Sequence, residues 1–440
     1  MKRLLPILLI AVFAISTATA QTSREELDAN PSVILATHST YAGPYYAKPI
    51  ADAPKGYKPF YISHYGRHGS RYESRSYYME DFAKFFNVAD SLGVLTAKGK
   101  EVKAIANKIY AEFCNCTGEL TSVGVEQHKG IARRMYERFR PIFNRGSIIN
   151  SRSSTHTRCI LSMAAFNESL KECEPLIETR LHASVADISI MRPMGKETTS
   201  YHHDYRYGIK THPWIKILNE WQEKQDFSHA IKAVFTDITP LCKYYNESAA
   251  SIMVNIYKRL AFTQNHGWYD RSLLDSIFTA DERHTIYRIE NYRWFCLYGG
   301  TSLPDANKYF RPMHLLVDDI VKYADLAVEG KNSASADLRF GHDYYLLGLL
   351  ATANFNEIRM DYDYSDVEKL GEEWRSYKFI TMASNMQFIF YRSKKNPDVL
   401  VRILHNENDV TLPIESATAP FYKWEDVRKY LIERVNAFRK

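Results

Sequence analysis

The stretch from Lys58 to Tyr72, Lys-Pro-Phe-Tyr-Ile-Ser-His-Tyr-Gly-Arg-His-Gly-Ser-Arg-Tyr, constrains the fold of this chain more than any other. Its apolar run, Phe60 to Ile62, is of the aromatic and β-branched type that favours a buried strand. The run breaks at Gly66, and Arg67 and Arg71 then bracket His68 and Gly69. A glycine beside the histidine allows a sharp turn and a close approach to the main chain. Each arginine offers a planar fork of donors that matches the oxygens of a phosphoryl group. A histidine between two guanidiniums gives up its proton more readily, which leaves it free to act as a nucleophile. The residue types therefore point to attack by His68 on phosphorus, with the arginines holding the charge. Taken alone, a histidine after a strand is more often a turn residue than a nucleophile, so the reading depends on the rest of the chain.

Residues 1–20 read as a secretory signal peptide. Lys2 and Arg3 open it, Leu4 to Ile15 form the apolar run, and Ala18-Thr19-Ala20 supply a small-residue cleavage site. That run is too short for a membrane span and no later stretch is apolar enough to be one, so the expectation is an exported protein, periplasmic or extracellular. The formal charge is +6, two units of which lie on Lys2 and Arg3. So mild an excess, with no dense basic run, does not indicate a nucleic-acid partner. The six cysteines, Cys114, Cys116, Cys159, Cys173, Cys242 and Cys296, show no metal-site spacing. Export permits disulfides, but the sequence does not select a pairing, nor does it set an oligomeric state.

Residues 21–57 carry four prolines and read as an irregular lead-in. Helices are expected over Tyr77 to Asp90, then from Gly99 towards Phe113. A third follows Leu120-Thr-Ser-Val-Gly124, with Thr121 as its cap and Val125, His128, Ile131, Met135 and Phe139 on one face. His128 reads as a packed histidine on that face. Ser147 to Ser151 reads as a second core strand, leading into Arg152, His156, Arg158 and a helix over Leu161 to Leu170. An arginine at a strand-to-helix junction lies where helix amides already favour an anion. Arg158 is the candidate third phosphate ligand, with Arg152 as the alternative unless it pairs with acids.

The character changes over 181–330. His182 to Pro193 holds an alternating run, and helical patterns follow over Trp214 to Gln225, Ala249 to Phe262 and Leu315 to Val328. This stretch reads as a mostly helical cap inserted in a core formed by 21–180 and 331–440. His202-His203-Asp204 has metal-ligand residue types but no third partner at useful spacing, so no metal is assigned. The core resumes with Leu338 to Phe340, a short strand ending in His342-Asp343, the same strand–turn–helix layout as the opening stretch. Two such turns side by side meet at the carboxyl edge of one sheet, where open α/β folds place ligands. Asp343 also suits a plain helix cap. A hairpin is expected from Met386 to Tyr391 and Val399 to Leu404, with a closing helix over Trp424 to Phe438.

Arg67-His68-Gly69-Ser70-Arg71, then Arg158-Cys-x-x-Ser162-x-Ala-Ala-Phe166, then Leu338-Arg-Phe-Gly-His342-Asp343 resemble, in that order, the motifs of the histidine acid phosphatases. This is the two-domain branch that includes phytases and multiple inositol-polyphosphate phosphatases, and the second and third motifs resemble the inositol-polyphosphate members most. There are departures. Many members have proline where Glu73 stands, and many follow His-Asp with Thr-Asn where this chain has Tyr344-Tyr345.

The resemblance implies an α/β fold, a mixed β-sheet core flanked by helices with a second, mostly helical inserted domain. It implies a phosphomonoesterase that uses no cofactor and takes a small-molecule phosphate ester, with phytate as the leading candidate. It also implies roles: His68 as nucleophile, Asp343 as proton donor, and Arg67, Arg71, Arg158 and His342 as holders of the phosphoryl oxygens. A broad-specificity acid phosphatase, or a relative that binds phospho-ligands without catalysis, is the alternative.

Overall fold

The computed structural model describes residues 21–45, 47–192, 212–268, 270–304 and 306–439. The signal-peptide reading and His202-His203-Asp204 fall outside the described residues. The lead-in is less irregular than its prolines imply: it begins with a short helix, α1 (Ser23–Ala29), closed by a capping box between Thr22 and Glu25.

A mixed sheet runs in the order β3-β2-β4-β1-β5-β6-β7, with β8 also paired to β6. Its strands are β1 (Tyr57–Arg67), β2 (Ile148–Ser153), β3 (Glu178–His182), β4 (Ala336–Gly341), β5 (Asn385–Ser393), β6 (Leu400–His405), β7 (Asn408–Val410) and β8 (Phe421–Lys423). One half is parallel, because β1, β2 and β3 are separated by helical crossovers and β4 enters between β1 and β2. The other half is antiparallel, built by the expected hairpin of β5 and β6. The alternating run from His182 does not continue the sheet: β3 ends at His182, and the chain turns through short helical segments, Val185–Asp187 and Ile188–Met191.

The period-two alternation of β1 divides the core between two faces. Ile62 faces a layer with Ile131, Met135, Met163, Phe166, Leu338 and Phe340, contributed by α2 (Ser122–Arg138), α3 (Thr157–Cys173) and β4. Tyr61 and Tyr65 face the opposite layer, where α4 (His314–Val328), α5 (Asp343–Ala353) and α6 (Trp424–Arg439) pack. Helices thus cover both faces of the mixed sheet, as expected from the sequence. No strand occurs among the described residues between Ile188 and Val328. The helices Ser76–Ser91 and Ala97–Phe113 join that helical mass, with Phe85 and Phe86 against Phe235.

Register positions the site. In the parallel pairs Arg67 lies opposite Gly341, and Ser153 opposite Phe340. The amide of His68 donates to the Gly341 carbonyl at 3.0 Å and the amide of Ser154 to that of Phe340 at 3.0 Å. The three parallel strands therefore end level, and their turns emerge side by side.

Candidate active site

The turn after β1 is fixed by its neighbours rather than by its own bonds. Thr121 caps α2, its hydroxyl accepting from the Gly124 amide, while its own amide donates to the Ser70 carbonyl at 3.0 Å. A Cβ on Gly69 would lie 2.6 Å from the Gly124 carbonyl oxygen, so a side chain there would push the turn off the helix start. The Gly69 amide donates to the Ser162 hydroxyl at 3.1 Å, tying the same turn to α3. Two sequence motifs, Leu-Thr-x-x-Gly and Arg-Cys-x-x-Ser, thus act through the backbone beside His68.

His68 is buried, and its Nδ1 lies 2.8 Å from the Gly69 carbonyl oxygen. A carbonyl only accepts, so Nδ1 carries the proton and the lone pair sits on Nε2. Burial pushes this imidazole well below its usual pKa, and Arg158, Arg67, Arg71 and His342 push the same way. The ring is therefore neutral and nucleophilic across mildly acidic to neutral pH.

Arg67 is fully buried, with Nη2 2.8 Å from Asp343 Oδ2. Its Nη1 donates to the Ile380 carbonyl at 3.4 Å, and its Nε has no hydrogen-bond acceptor among the described residues. The Nε of Arg71, Arg158 and Arg192 are likewise buried without acceptors among the described residues. Unpaired buried donors are costly, and four guanidiniums with spare N–H groups fit an oxyanion among them. Burial lowers Arg71 to about 10, a value at which it keeps its charge.

His342 and Asp343 follow β4. His342 occupies the cap position of α5 and Asp343 its first turn, so Asp343 is not the capping residue. The Nε2 of His342 lies 3.0 Å from the Ser154 hydroxyl, and its ring meets that of His68 edge-on at 5.6 Å. Tyr344 stacks on His342 at 5.9 Å and on Tyr298 at 5.5 Å, and Tyr344 and Tyr298 form an aromatic wall of the cleft while Tyr345 is buried behind it.

These groups share a cavity of about 730 Å³ with His38, His156, Arg192, Lys258 and Arg259. His68, Arg71, Arg158, His342 and Asp343 all line it, and Arg67 lies beneath, against Asp343. Arg152 does not reach it. That guanidinium pairs with Asp319 at 2.5 Å and Asp187 at 3.4 Å, beside the buried Arg339, which leaves Arg158 as the arginine in the cleft. His38, His156, Arg192, Lys258 and Arg259 are not among the site residues expected from the sequence. The one local signal for any of them is a cationic pair, Lys258-Arg259, within the otherwise apolar helix Ala249–Phe262. Among the described residues no group of three or more His, Cys, Asp or Glu could hold a metal ion, and all six cysteines are free thiols.

The pattern that defines branch 2 of the histidine phosphatase superfamily matches residues 66–406. Among solved structures, the Bifidobacterium longum multiple inositol polyphosphate phosphatase in complex with inositol hexasulfate superposes with a TM-score of 0.71 at 19% identity. It covers 90% of this chain and 97% of its own. The phytase from D. castellii gives a TM-score of 0.66 at 14% identity, over 92% of this chain and 85% of that one. The Hafnia alvei phytase gives 0.53 at 10% identity, over 88% of this chain and 100% of that one. No curated protein sequence matches significantly. At these identities the structural likeness speaks for the fold.

Proposed function

The chain belongs to branch 2 of the histidine phosphatase superfamily and is a phosphatase, and we propose that it hydrolyses inositol polyphosphates or closely related phosphate esters through a phosphohistidine on His68. Nε2 of His68 attacks phosphorus in line with the ester oxygen. As the P–N bond forms and the P–O bond breaks, Asp343 gives its proton to the departing alkoxide. Water then attacks the phosphohistidine, Asp343 takes up a proton, and inorganic phosphate leaves. Arg67, Arg71, Arg158 and His342 bind the equatorial oxygens, where charge spreads in a loose transition state. Phosphate-monoester hydrolysis is among the slowest uncatalysed reactions, which makes sense of so many donors around one phosphoryl group.

The observation that carries the substrate reading is the cationic lining beyond the motif residues. Arg192, Lys258 and Arg259 line the same cavity. Lys258 is paired with Glu290 and Arg259 with Glu73, so Arg192, which has no ion pair among the described residues, is the further cation open to a second phosphate. The relatives named for inositol polyphosphates and phytate share the fold. In the same reading the helical stretch 181–330 serves as the cap that shapes the cleft, and the protein is exported by its first 20 residues, to the periplasm or beyond. The test is phosphate release from phytate, sugar phosphates, nucleotides and an aryl phosphate. The highest kcat/KM is expected for phytate or its partly dephosphorylated products. A clear preference for nucleotides or aryl esters would overturn the substrate assignment.

A further inference from the structure

Glu73 is an anomaly in this cleft. It is an acid, only 5% exposed, lining a cavity whose purpose is to hold anions. Its backbone is pinned, since its carbonyl accepts from the Gly118 amide at 2.7 Å, and its position on the loop after Arg71 is therefore set. One carboxylate oxygen, Oε1, takes a hydrogen bond from Arg259 Nη1 across the cleft. That guanidinium is held from behind by the Tyr78 ring, 4.4 Å from its centroid. Glu73 also faces Arg71, whose charge it stabilises against the pull of burial. Its other oxygen, Oε2, has no hydrogen-bond partner among the described residues.

Such an acid has two opposite effects on a bound polyol phosphate. It occupies Arg259 and repels a second phosphate on that side of the leaving group. It also offers a charged acceptor to a hydroxyl in the same place, a strong bond that a phosphate at that position cannot make. A contact that attracts one group and repels its competitor is how specificity is commonly built.

We propose that Glu73 is a specificity-determining residue that makes the cleft prefer polyol phosphates with a free hydroxyl beside the scissile phosphate over fully phosphorylated ones. The inference rests on the phosphatase reading above and narrows its substrate class to hydroxyl-bearing, partly phosphorylated polyols.

The experiment compares wild type with Glu73→Gln on inositol hexakisphosphate, on glycerol 2-phosphate as a hydroxyl-bearing monoester, and on 4-nitrophenyl phosphate. The last has neither extra phosphates nor hydroxyls and reports any general damage to Arg71. Glutamine keeps the shape and a donor–acceptor pair but removes the charge. In the variant, kcat/KM for hexakisphosphate relative to glycerol 2-phosphate is expected to rise by about tenfold, carried chiefly by KM for hexakisphosphate. Arg259→Gln, which removes the ion-pair partner of Glu73 and leaves more of its charge facing the cleft, is expected to move the same ratio the other way. Equal losses on all three substrates in Glu73→Gln would overturn the proposal and make Glu73 a brace for Arg71. An unchanged ratio in both variants would overturn it as well. A wild-type protein that cleaves none of the three would instead overturn the proposed function itself.

Discussion

Arg67 and Asp343 meet at 2.8 Å although 276 positions separate them, because β1 and β4 pair in parallel with Arg67 opposite Gly341. The contact joins the motif of the proposed nucleophile, His68, to that of the proposed acid, Asp343. It also fixes Asp343 beside the His68 turn, in the first turn of its helix rather than at the cap. Asp343→Asn keeps the shape of the side chain and removes its transferable proton. Its effect is expected to depend on the leaving group: a loss on the order of 10²–10⁴-fold for an alkyl phosphate such as phytate, and a much smaller one for an activated aryl phosphate. Single-turnover dephosphorylation of both substrates measures this. Equal losses would assign Asp343 to phosphate positioning and send the search for the acid elsewhere.

Two arginines near β2 separate by role. Arg158→Ala removes a charged donor from the cleft, and a fall in kcat/KM on the order of 10³-fold is expected with an unchanged melting temperature. Arg152→Ala breaks the buried pair with Asp319 and leaves that carboxylate facing Arg339 alone. A loss of about 3 kcal/mol in stability is expected, with near-normal turnover of the folded fraction. Thermal melts and steady-state kinetics on the two variants distinguish them, and the reverse pattern would exchange their roles.

Buried histidines are expected to lower stability as the pH falls. His64 and His128 are both held down from 6.5 to about 3 by burial, around the rings of Phe166 and Phe340. Between about pH 6.5 and 3 the unfolded chain binds protons there that the folded chain refuses, so stability is complete above this window and falls as pH drops through it. Each histidine contributes a slope of about 1.4 kcal/mol per pH unit inside the window. Denaturant melts from pH 7 to 4 read this slope. Replacing His128 with Met, which keeps an apolar bulk, is expected to flatten it, and an unaltered slope would show that His128 is not neutral in the fold.

Catalysis assigned to arginines implies insensitivity to chelators. Activity after dialysis against EDTA is expected to match that of untreated protein, because guanidiniums supply the positive charge that a metal provides elsewhere. Loss of activity restored by zinc or magnesium would contradict this and bring His202, His203 and Asp204 forward as ligands.

The sequence made the local part of the site legible. Arg67-His68-Gly69 and His342-Asp343 each sit at the end of a strand, and a strand followed by a turn can be read from a dozen residues. The choice between Arg152 and Arg158 could not be read so, because both lie in one short segment and only the helix carrying Asp319 decides which is neutralised. Lys258 and Arg259 reach the cleft from a helix whose other face is apolar core, and no local pattern says what that helix packs against. The helix Ala280–Trp294 escaped for a related reason: it buries Glu282, His284, Glu290 and Asn291 along with Ile286 and Tyr287, which blurs the apolar stripe. The run after His182 alternates as a strand does, yet its pairing with β2 ends at Arg152 opposite His182, and β2 itself stops one residue later at Ser153. Periodicity shows which face of a segment is apolar, and the partner across the sheet decides whether a strand forms.

Covalent chemistry at His68 is favoured by the proton on Nδ1 and the free lone pair on Nε2. The most direct measurement mixes the enzyme with phosphate-labelled phytate, quenches in alkali, which preserves phosphohistidine, and maps the label by peptide mass spectrometry. Label is expected on the peptide containing His68, bound through nitrogen, with neither label nor turnover in a folded His68→Ala variant. Label on any other residue, or sustained hydrolysis by His68→Ala, would contradict covalent chemistry at His68.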